Sequence, residues 1–294
     1  MTTIHQRRRL YPPSATSPPP LTTPIRRHEV TVGIVGGGQR HYQRWHKRMV
    51  VIEVDYVPTK GAVAHLNLFD PDRYSSFDAF ANDLIAQIQE LNLSSFVFIG
   101  HSVSGMIGCV ASTKRPDLFK RLILLGASPS YLNAQDYEGG FERSVVEQMF
   151  MTIESNFSSW VPKSARLLID EEHPLALEKY EKCLGRMRPE IALSLAKTIF
   201  LSDVRDVLEW VQVPCTIVQT SHDSVIPISV ARYMQSKIKG ESTPEIIEND
   251  GHYPQLTAPC CCLMLLPVGR VIGVSFDDKT ELLFPAADGT SVAA

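Results

Sequence analysis

The chain has 294 residues, of which 44% are hydrophobic and 21% are charged, and its formal net charge is −3. This length accommodates one large α/β domain with an inserted subdomain. The near balance of charge provides no basic field for nucleic acid, and no apolar run is long enough to span a bilayer. We therefore expect a soluble globular protein without a nucleic-acid or membrane partner.

The six cysteines include no CxxC pair, which indicates a reducing compartment. Three of them are adjacent, at Cys260, Cys261 and Cys262. Three consecutive residues do not wrap one tetrahedral metal comfortably. We therefore expect no zinc site, and we expect no other cofactor.

Residues 1–28 differ in composition from the rest of the chain. They contain five arginines and many Ser, Thr and Pro residues, but no acidic residue. Such a segment buries too little apolar surface to fold alone, so we favour a disordered arm. The composition also fits an organelle transit peptide. We expect a location in the cytoplasm and nucleus, or in the plastid if the arm is a transit peptide.

Two short strands are predicted next, at residues 30–35 and 50–55, because both runs are rich in β-branched residues. The first runs into three glycines at residues 36–38. These lack the G-x-G-x-x-G spacing of a dinucleotide site, and too few residues follow for a crossover helix. The dinucleotide interpretation is therefore weak.

The central feature of the sequence is the stretch 94–108. An apolar run of strand length ends at Gly100, Ser102 follows, and small residues then open a helix. This order predicts a strand–turn–helix that exposes the hydroxyl of Ser102 and directs the backbone N–H of Val103 towards an oxygen bound beside it. The alternative is an ordinary turn in which Ser102 caps the helix.

Strands and helices alternate around this stretch. Apolar residues at helical spacing predict a helix from Phe77 to Leu91, and a buried strand is predicted at 121–125. The pattern favours a mostly parallel sheet with helices on both faces. From residue 133 to 200 only helical patterns remain. We interpret this block as a lid over the carboxyl edge of the sheet, the alternative being a packed accessory without a pocket.

Three prolines are predicted to divide this block into short helices: Pro162, Pro174 and Pro189. The sheet resumes at residues 215–220. Asp223 follows this strand, and His252 lies in a loop beyond a short strand around residues 246–247.

Serine, acid and histidine in this order, each after a strand, match the chain order of α/β-hydrolases. A hydroxyl needs a base within hydrogen-bond reach, and the base needs an acid to fix its tautomer.

From Phe77 to about Pro259 the chain resembles the plant strigolactone- and karrikin-receptor hydrolases. The motifs that carry the resemblance are G-H-S-V-S-G-M-I-G at 100–108, L-I-L-L-G-A-S-P at 122–129, D-Y-E-G-G-F-E at 136–142, M-R-P at 187–189 and T-I-F-L-S-D at 198–203.

The resemblance implies an α/β-hydrolase fold: a mostly parallel central sheet with an inserted four-helix lid over a deep apolar pocket. It implies a slow hydrolase that takes a small apolar butenolide-type ligand and acts as a hormone receptor. An F-box protein and a transcriptional repressor would then be its protein partners.

The site residues follow from these motifs. Ser102, Asp223 and His252 match the catalytic triad. Val103, from the turn, and Gly38, from alignment with the family's H-G-x-G loop, would donate to the oxyanion. The family's pocket aromatics match Tyr131, Trp160 and Phe200, of which the last two are equally consistent with lid core.

Three departures from the family pattern bear on these expectations. The H-G-x-G loop has lost its histidine; Ser164 and Gly185 stand where bulky lid residues are usual; and no closing helix is predicted after Pro259. Two classes of function therefore stay open: an active serine hydrolase with receptor behaviour, or a non-hydrolytic ligand sensor or inactive relative with a degenerate oxyanion hole.

The domain organisation that we expect has five segments. A disordered arm (1–28) precedes the first part of the hydrolase core (29–132). The helical lid (133–202) separates this from the second part of the core (203–259), and an atypical tail (260–294) follows.

Overall fold

The computed structural model describes residues 31–33, 51–53, 69–90 and 92–257. Two short strands, β1 (Thr31–Gly33) and β2 (Val51–Glu53), pair in antiparallel fashion. Both lie inside the strands predicted from the sequence and are shorter than predicted.

A four-stranded parallel sheet forms the centre of the fold. Its strands are β3 (Phe96–His101), β4 (Phe119–Leu125), β5 (Cys215–His222) and β6 (Ser242–Asp250), in the order β3-β4-β5-β6. All three strand pairs are parallel, as predicted. The carboxyl ends of the strands therefore lie at one edge of the sheet, where the loops that follow them can meet.

Three helices pack through their buried residues into the main core of the sheet: α1 (Phe77–Glu90), α2 (Val103–Lys114) and α7 (Ile228–Lys237). The predicted apolar face of α1 is observed, except that its last residue, Leu91, lies outside the described residues. Short 3₁₀ helices occupy Pro116–Leu118 and Arg205–Trp210, and the brief helix α8 spans Pro254–Thr257.

The opposite face of the sheet carries a separate apolar cluster. Because neighbouring strand residues point to opposite faces, Ile123 and Leu125 turn away from the face that buries Leu122 and Leu124. They pack with Val218 and Ile247, and within the described ranges this cluster contains strand residues only. Helices on both faces were predicted, and the described part of the chain supplies them on one.

Four helices occupy the stretch between β4 and β5: α3 (Arg143–Ser155), α4 (Phe157–Leu168), α5 (Pro174–Leu184) and α6 (Pro189–Leu201). Ser130 and Asp203 form an antiparallel bridge, so the insertion leaves and rejoins the core at one place. None of the helices in the described ranges has both the length and the apolar character needed to cross a membrane.

Two of the three prolines act as predicted. Pro174 and Pro189 begin α5 and α6, where a missing N–H costs no hydrogen bond. The prediction for Pro162 was wrong, because this proline lies inside α4. The break falls instead at Asn156, whose side chain accepts the N–H of Ser159 and caps α4.

Gly100 is the point of closest approach between β3 and α2. A Cβ on this glycine would lie 2.7 Å from both the Cα and the N of Gly105. Backbone atoms yield little, so we expect Gly100→Ala to separate strand from helix and to lower the free energy of unfolding by about 1–3 kcal/mol in urea titrations. Gly185→Ala, at a helical backbone position at the end of α5, is the control. Equal unfolding midpoints for the two variants would contradict this account.

Candidate active site

Ser102 lies in the turn between β3 and α2 with a strained backbone. Its φ of 53° and ψ of −125° put a non-glycine residue in the left-handed half of conformational space, at a cost of roughly 1–3 kcal/mol. The side chain makes no capping hydrogen bond to α2. The alternative of an ordinary helix cap is therefore wrong, and the hydroxyl is available for chemistry.

The structure brings Ser102, His252 and Asp223 together. The distance from Ser102 Oγ to His252 Nε2 is 2.9 Å, and that from His252 Nδ1 to Asp223 Oδ2 is 2.8 Å. Asp223 is a carboxylate and only accepts, so Nδ1 carries the proton and Nε2 is free to accept the hydroxyl proton of Ser102. The side chains of His252 and Asp223 are 3% and 1% exposed, which shields both contacts from water.

Asp223 is held as an anion by donors on both of its oxygens. Oδ1 accepts the backbone N–H groups of Val225 and Ile226, at 2.8 and 3.1 Å. Oδ2 accepts from His252 and from the side-chain amide of Gln219, at 3.1 Å. Burial alone would raise the pKa of Asp223, but the interaction with His252 and the backbone donors outweigh burial and lower it. The acid is thus ionised and fixed in orientation.

Three hydrogen bonds join the backbone of the His252 loop to two other parts of the fold. Gly251, at φ 83°, donates to the carbonyl of His222, and its own carbonyl accepts from Thr220 Oγ1. The N–H of His252 donates to the carbonyl of Leu168, at the end of α4, over 2.8 Å. The loop is therefore fixed by the end of β5 and by the helical insertion together.

His101 supplies the fourth bond to this loop. Its Nε2 lies 2.7 Å from the carbonyl oxygen of His252, so Nε2 must carry a proton. The ring also packs against the rings of His252 and Tyr253, with centroid distances of 4.8 and 4.5 Å. Burial, together with His252, lowers the pKa of His101 to about 3. His101 is therefore uncharged, and its hydrogen bond joins β3, the strand that precedes Ser102, to the loop that carries the base His252.

The three predicted pocket aromatics differ in their relation to the triad. Tyr131 is fully buried, and its hydroxyl lies 3.2 Å from Ser102 Oγ. Phe200 packs against the ring of Tyr131 at 5.3 Å and against Phe141 at 5.4 Å. Trp160, on α4, is partly buried and packs against Phe157 in a tilted arrangement, with 5.7 Å between the ring centroids. The structure thus links two of the three to the nucleophile and places Trp160 within the packing of the insertion.

The structure describes one of the two predicted oxyanion donors. Val103 is the first residue of α2, where the backbone N–H has no partner inside the helix and the positive end of the helix dipole lies. Gly38 falls outside the described residues.

Sequence reasoning missed His101 and Gln219 as neighbours of the triad. His101 lies in the G-H-S-V-S-G-M-I-G motif, but its position in the motif alone does not indicate a role. A signal for Gln219 was present, because an uncharged polar residue continued a buried strand directly after Ile217 and Val218.

The low pKa of His101 predicts a dependence of stability on pH. In the unfolded chain a histidine titrates near pH 6.5, so between about pH 6.5 and 3 the unfolded state binds a proton that the folded state excludes. Stability is therefore lost as the pH falls through this window. Between pH 7.5 and pH 5 we expect His101→Gln to lose about 2 kcal/mol less free energy of unfolding than the unmodified protein.

Urea unfolding at the two pH values measures this difference. His222→Gln, which alters an exposed histidine, is the control. Equal losses in the unmodified protein and in His101→Gln would mean that the folded state does not exclude the proton.

Comparisons with known proteins agree with this geometry. Residues 58–259 match the family described as alpha/beta hydrolase fold. The chain is 27% identical to a hydrolase from Oleispira antarctica of known structure, with a TM-score of 0.70 over 81% of this chain and 93% of that one.

Closer sequence relatives come from plants. The chain is 42% identical to strigolactone esterase D14 of Arabidopsis thaliana, over 65% of this chain and 72% of the relative. It is 43% identical to Karrikin insensitive 2 receptor IA of Petunia hybrida, over 65% and 70%. The strand–turn–helix at Ser102 and the extent of these matches show that the chain belongs to the α/β-hydrolases, in the family of strigolactone esterases and karrikin receptors.

Proposed function

We propose that this protein is a serine hydrolase that binds a small butenolide ligand, hydrolyses its ester or enol ether slowly, and acts as a hormone receptor. The observation that carries the proposal is the hydrogen-bonded chain from Ser102 through His252 to Asp223. The names of the relatives, a strigolactone esterase and a karrikin receptor, support the ligand class.

The hydrogen-bonded triad supports the following steps of acyl transfer. Ser102 Oγ attacks the ligand carbonyl while its proton passes to His252 Nε2, and the buried carboxylate of Asp223 stabilises the imidazolium that forms. The N–H of Val103, and that of Gly38 in our proposal, donate to the oxyanion. His252 then returns the proton to the leaving oxygen as the acyl-enzyme forms. Water, activated by the same histidine, releases the acid and restores Ser102.

Tyr131 adds a donor on the nucleophile itself. Since Ser102 gives its own proton to His252, its oxygen accepts the hydrogen bond from the phenol of Tyr131. Burial raises the pKa of Tyr131, which keeps the phenol protonated over the working pH range. The serine hydroxyl is therefore held between a donor and an acceptor, in the orientation that deprotonation needs.

An apolar ligand suits the surroundings of the serine. Tyr131 and Phe200 present aromatic surface beside it, and the helical insertion supplies further apolar side chains. We propose that the ligand pocket lies beside these two rings and that Trp160 also lines it. By resemblance to the family, an F-box protein and a transcriptional repressor are the proposed partners of the ligand-bound state.

The alternative, a non-hydrolytic sensor, is less well supported. A degenerate site would have no need to keep a strained nucleophile bonded to an oriented base and a buried acid. Losing one oxyanion donor costs about 2.7–4 kcal/mol of transition-state stabilisation, which slows hydrolysis without abolishing it. Even a site without the Gly38 donor would therefore turn its ligand over slowly, and slow turnover is the behaviour that we propose by resemblance to the family.

The nucleophile can be tested directly. We expect Ser102→Ala to abolish hydrolysis of a fluorogenic butenolide ester and labelling by a fluorophosphonate, because the attacking oxygen is removed. Intact-protein mass spectrometry detects the adduct on the unmodified protein. Equal labelling of both proteins would refute the hydrolase function.

The role of Tyr131 can be tested by removing its hydroxyl alone. We expect Tyr131→Phe to lower kcat about three- to tenfold, the loss of one hydrogen bond, with little change in KM. Tyr137→Phe is a matched control, because this buried tyrosine bonds Ser128 and Ser130 instead of the triad. An unchanged kcat in Tyr131→Phe, or an equal fall in both variants, would contradict the role.

A further inference from the structure

We propose that Gln219 is a positioning residue for this reaction: its side-chain amide holds the carboxylate of Asp223 in the orientation that supports His252. The inference rests on the proposed hydrolase function and adds a residue to its machinery. The side-chain amide of Gln219 donates to Asp223 and to the carbonyl of Ile226, so it acts on the reaction through Asp223.

The side chain of Gln219 bridges the turn at residues 223–226, which contains the acid Asp223. Its Nε2 lies 3.1 Å from Asp223 Oδ2 and 3.0 Å from the carbonyl oxygen of Ile226. A primary amide has two N–H groups on this nitrogen, so it donates to both acceptors at once. One side chain on β5 therefore closes the turn that begins directly after the strand.

The two oxygens of the carboxylate depend on different donors. Oδ1 is fixed by the backbone N–H groups of Val225 and Ile226, which cannot change during the reaction. Oδ2 is bonded to His252 and Gln219. His252 gains and loses its second proton at Nε2 and so changes charge in each cycle, although its Nδ1–H stays on Oδ2; Gln219 is the donor on Oδ2 whose charge does not change.

An amide also suits this position chemically. The N–H of Gln219 donates and has no proton to exchange, so it stabilises the ionised form of Asp223 without competing for a proton. The other titratable groups with electrostatic influence on this carboxylate, within the described residues, are His252, His101 and Tyr131. None of these three gives Asp223 a permanent positive partner, which leaves hydrogen-bond donors to support its charge.

The location of Gln219 on the strand argues against a purely structural role. Residues 215, 217 and 219 point to the same face of β5, and Cys215 and Ile217 are apolar members of the main core. Gln219 continues this row with only 1% of its surface exposed. A buried amide is costly unless its hydrogen bonds are needed, and an apolar residue would satisfy packing alone.

Two variants separate positioning from packing. Gln219→Met keeps length and volume but removes both donors. We expect kcat for p-nitrophenyl acetate to fall roughly 10- to 100-fold, as for the loss of hydrogen bonds to a charged group, with KM within about twofold. Gln235→Met, at an exposed site on α7, is the matched control and should keep the kcat of the unmodified protein.

Gln219→Glu supplies a signature that a packing defect would not give. At low pH the new carboxyl is protonated and donates to Asp223, so kcat stays close to that of the unmodified protein. As the pH rises the new carboxyl ionises and repels Asp223, so kcat falls. We expect a descending limb between about pH 6 and 9 that the unmodified protein lacks.

Circular dichroism at each pH restricts the kinetics to folded protein. If Gln219→Met does not fold, the Glu variant, which keeps the size and polarity, decides the question. Unchanged kcat in folded Gln219→Met, or a loss in Gln219→Glu that does not vary with pH, would overturn the positioning role. Failure of the proposed function is a separate result: the unmodified protein would then show neither turnover nor fluorophosphonate labelling.

Discussion

The contact between Gly100 and Gly105 is the constraint on which the site depends. Only two residues without side chains let β3 and α2 approach this closely, and the approach forces the strained backbone of Ser102. The side chain of Ser102 makes no cap bond in this turn, and the first N–H of α2, that of Val103, has no partner inside the helix, as at any helix start. The close contact between β3 and α2 thus positions both the nucleophile and the proposed oxyanion donor. The burial of the surrounding core offsets the free-energy cost of the strained backbone.

A second constraint is the buried charge of Asp223. An isolated carboxylate at 1% exposure would take up a proton, and the base would lose its partner. Four donors prevent this, two from the backbone of the turn, one from His252 and one from Gln219. The same hydrogen bonds therefore fix the turn from Asp223 to Ile226 and keep the carboxylate of Asp223 ionised.

The sequence predicted the parts of this site that depend on local order. The small residues around Ser102 favour a tight strand–turn–helix. An acid and a histidine that follow later strands of a parallel sheet reach the same edge of that sheet. Local reasoning failed at Pro162, because α4 continues through the proline while packing Val161 and Ala165 into the core. The cost of one lost helix bond is smaller than the gain from burying that face.

The contacts that sequence could not predict are those set by three-dimensional distance. The carbonyl of Leu168 carries no chemical signature in the sequence, yet it accepts the N–H of His252. His101, the last residue of β3, donates from Nε2 to the carbonyl of His252. The base is consequently held on one side by the nucleophile strand and on the other by the helical insertion. The N–H of His252 belongs to the peptide before its Cα and the carbonyl to the peptide after it, so the two bonds fix both backbone groups that flank the imidazole.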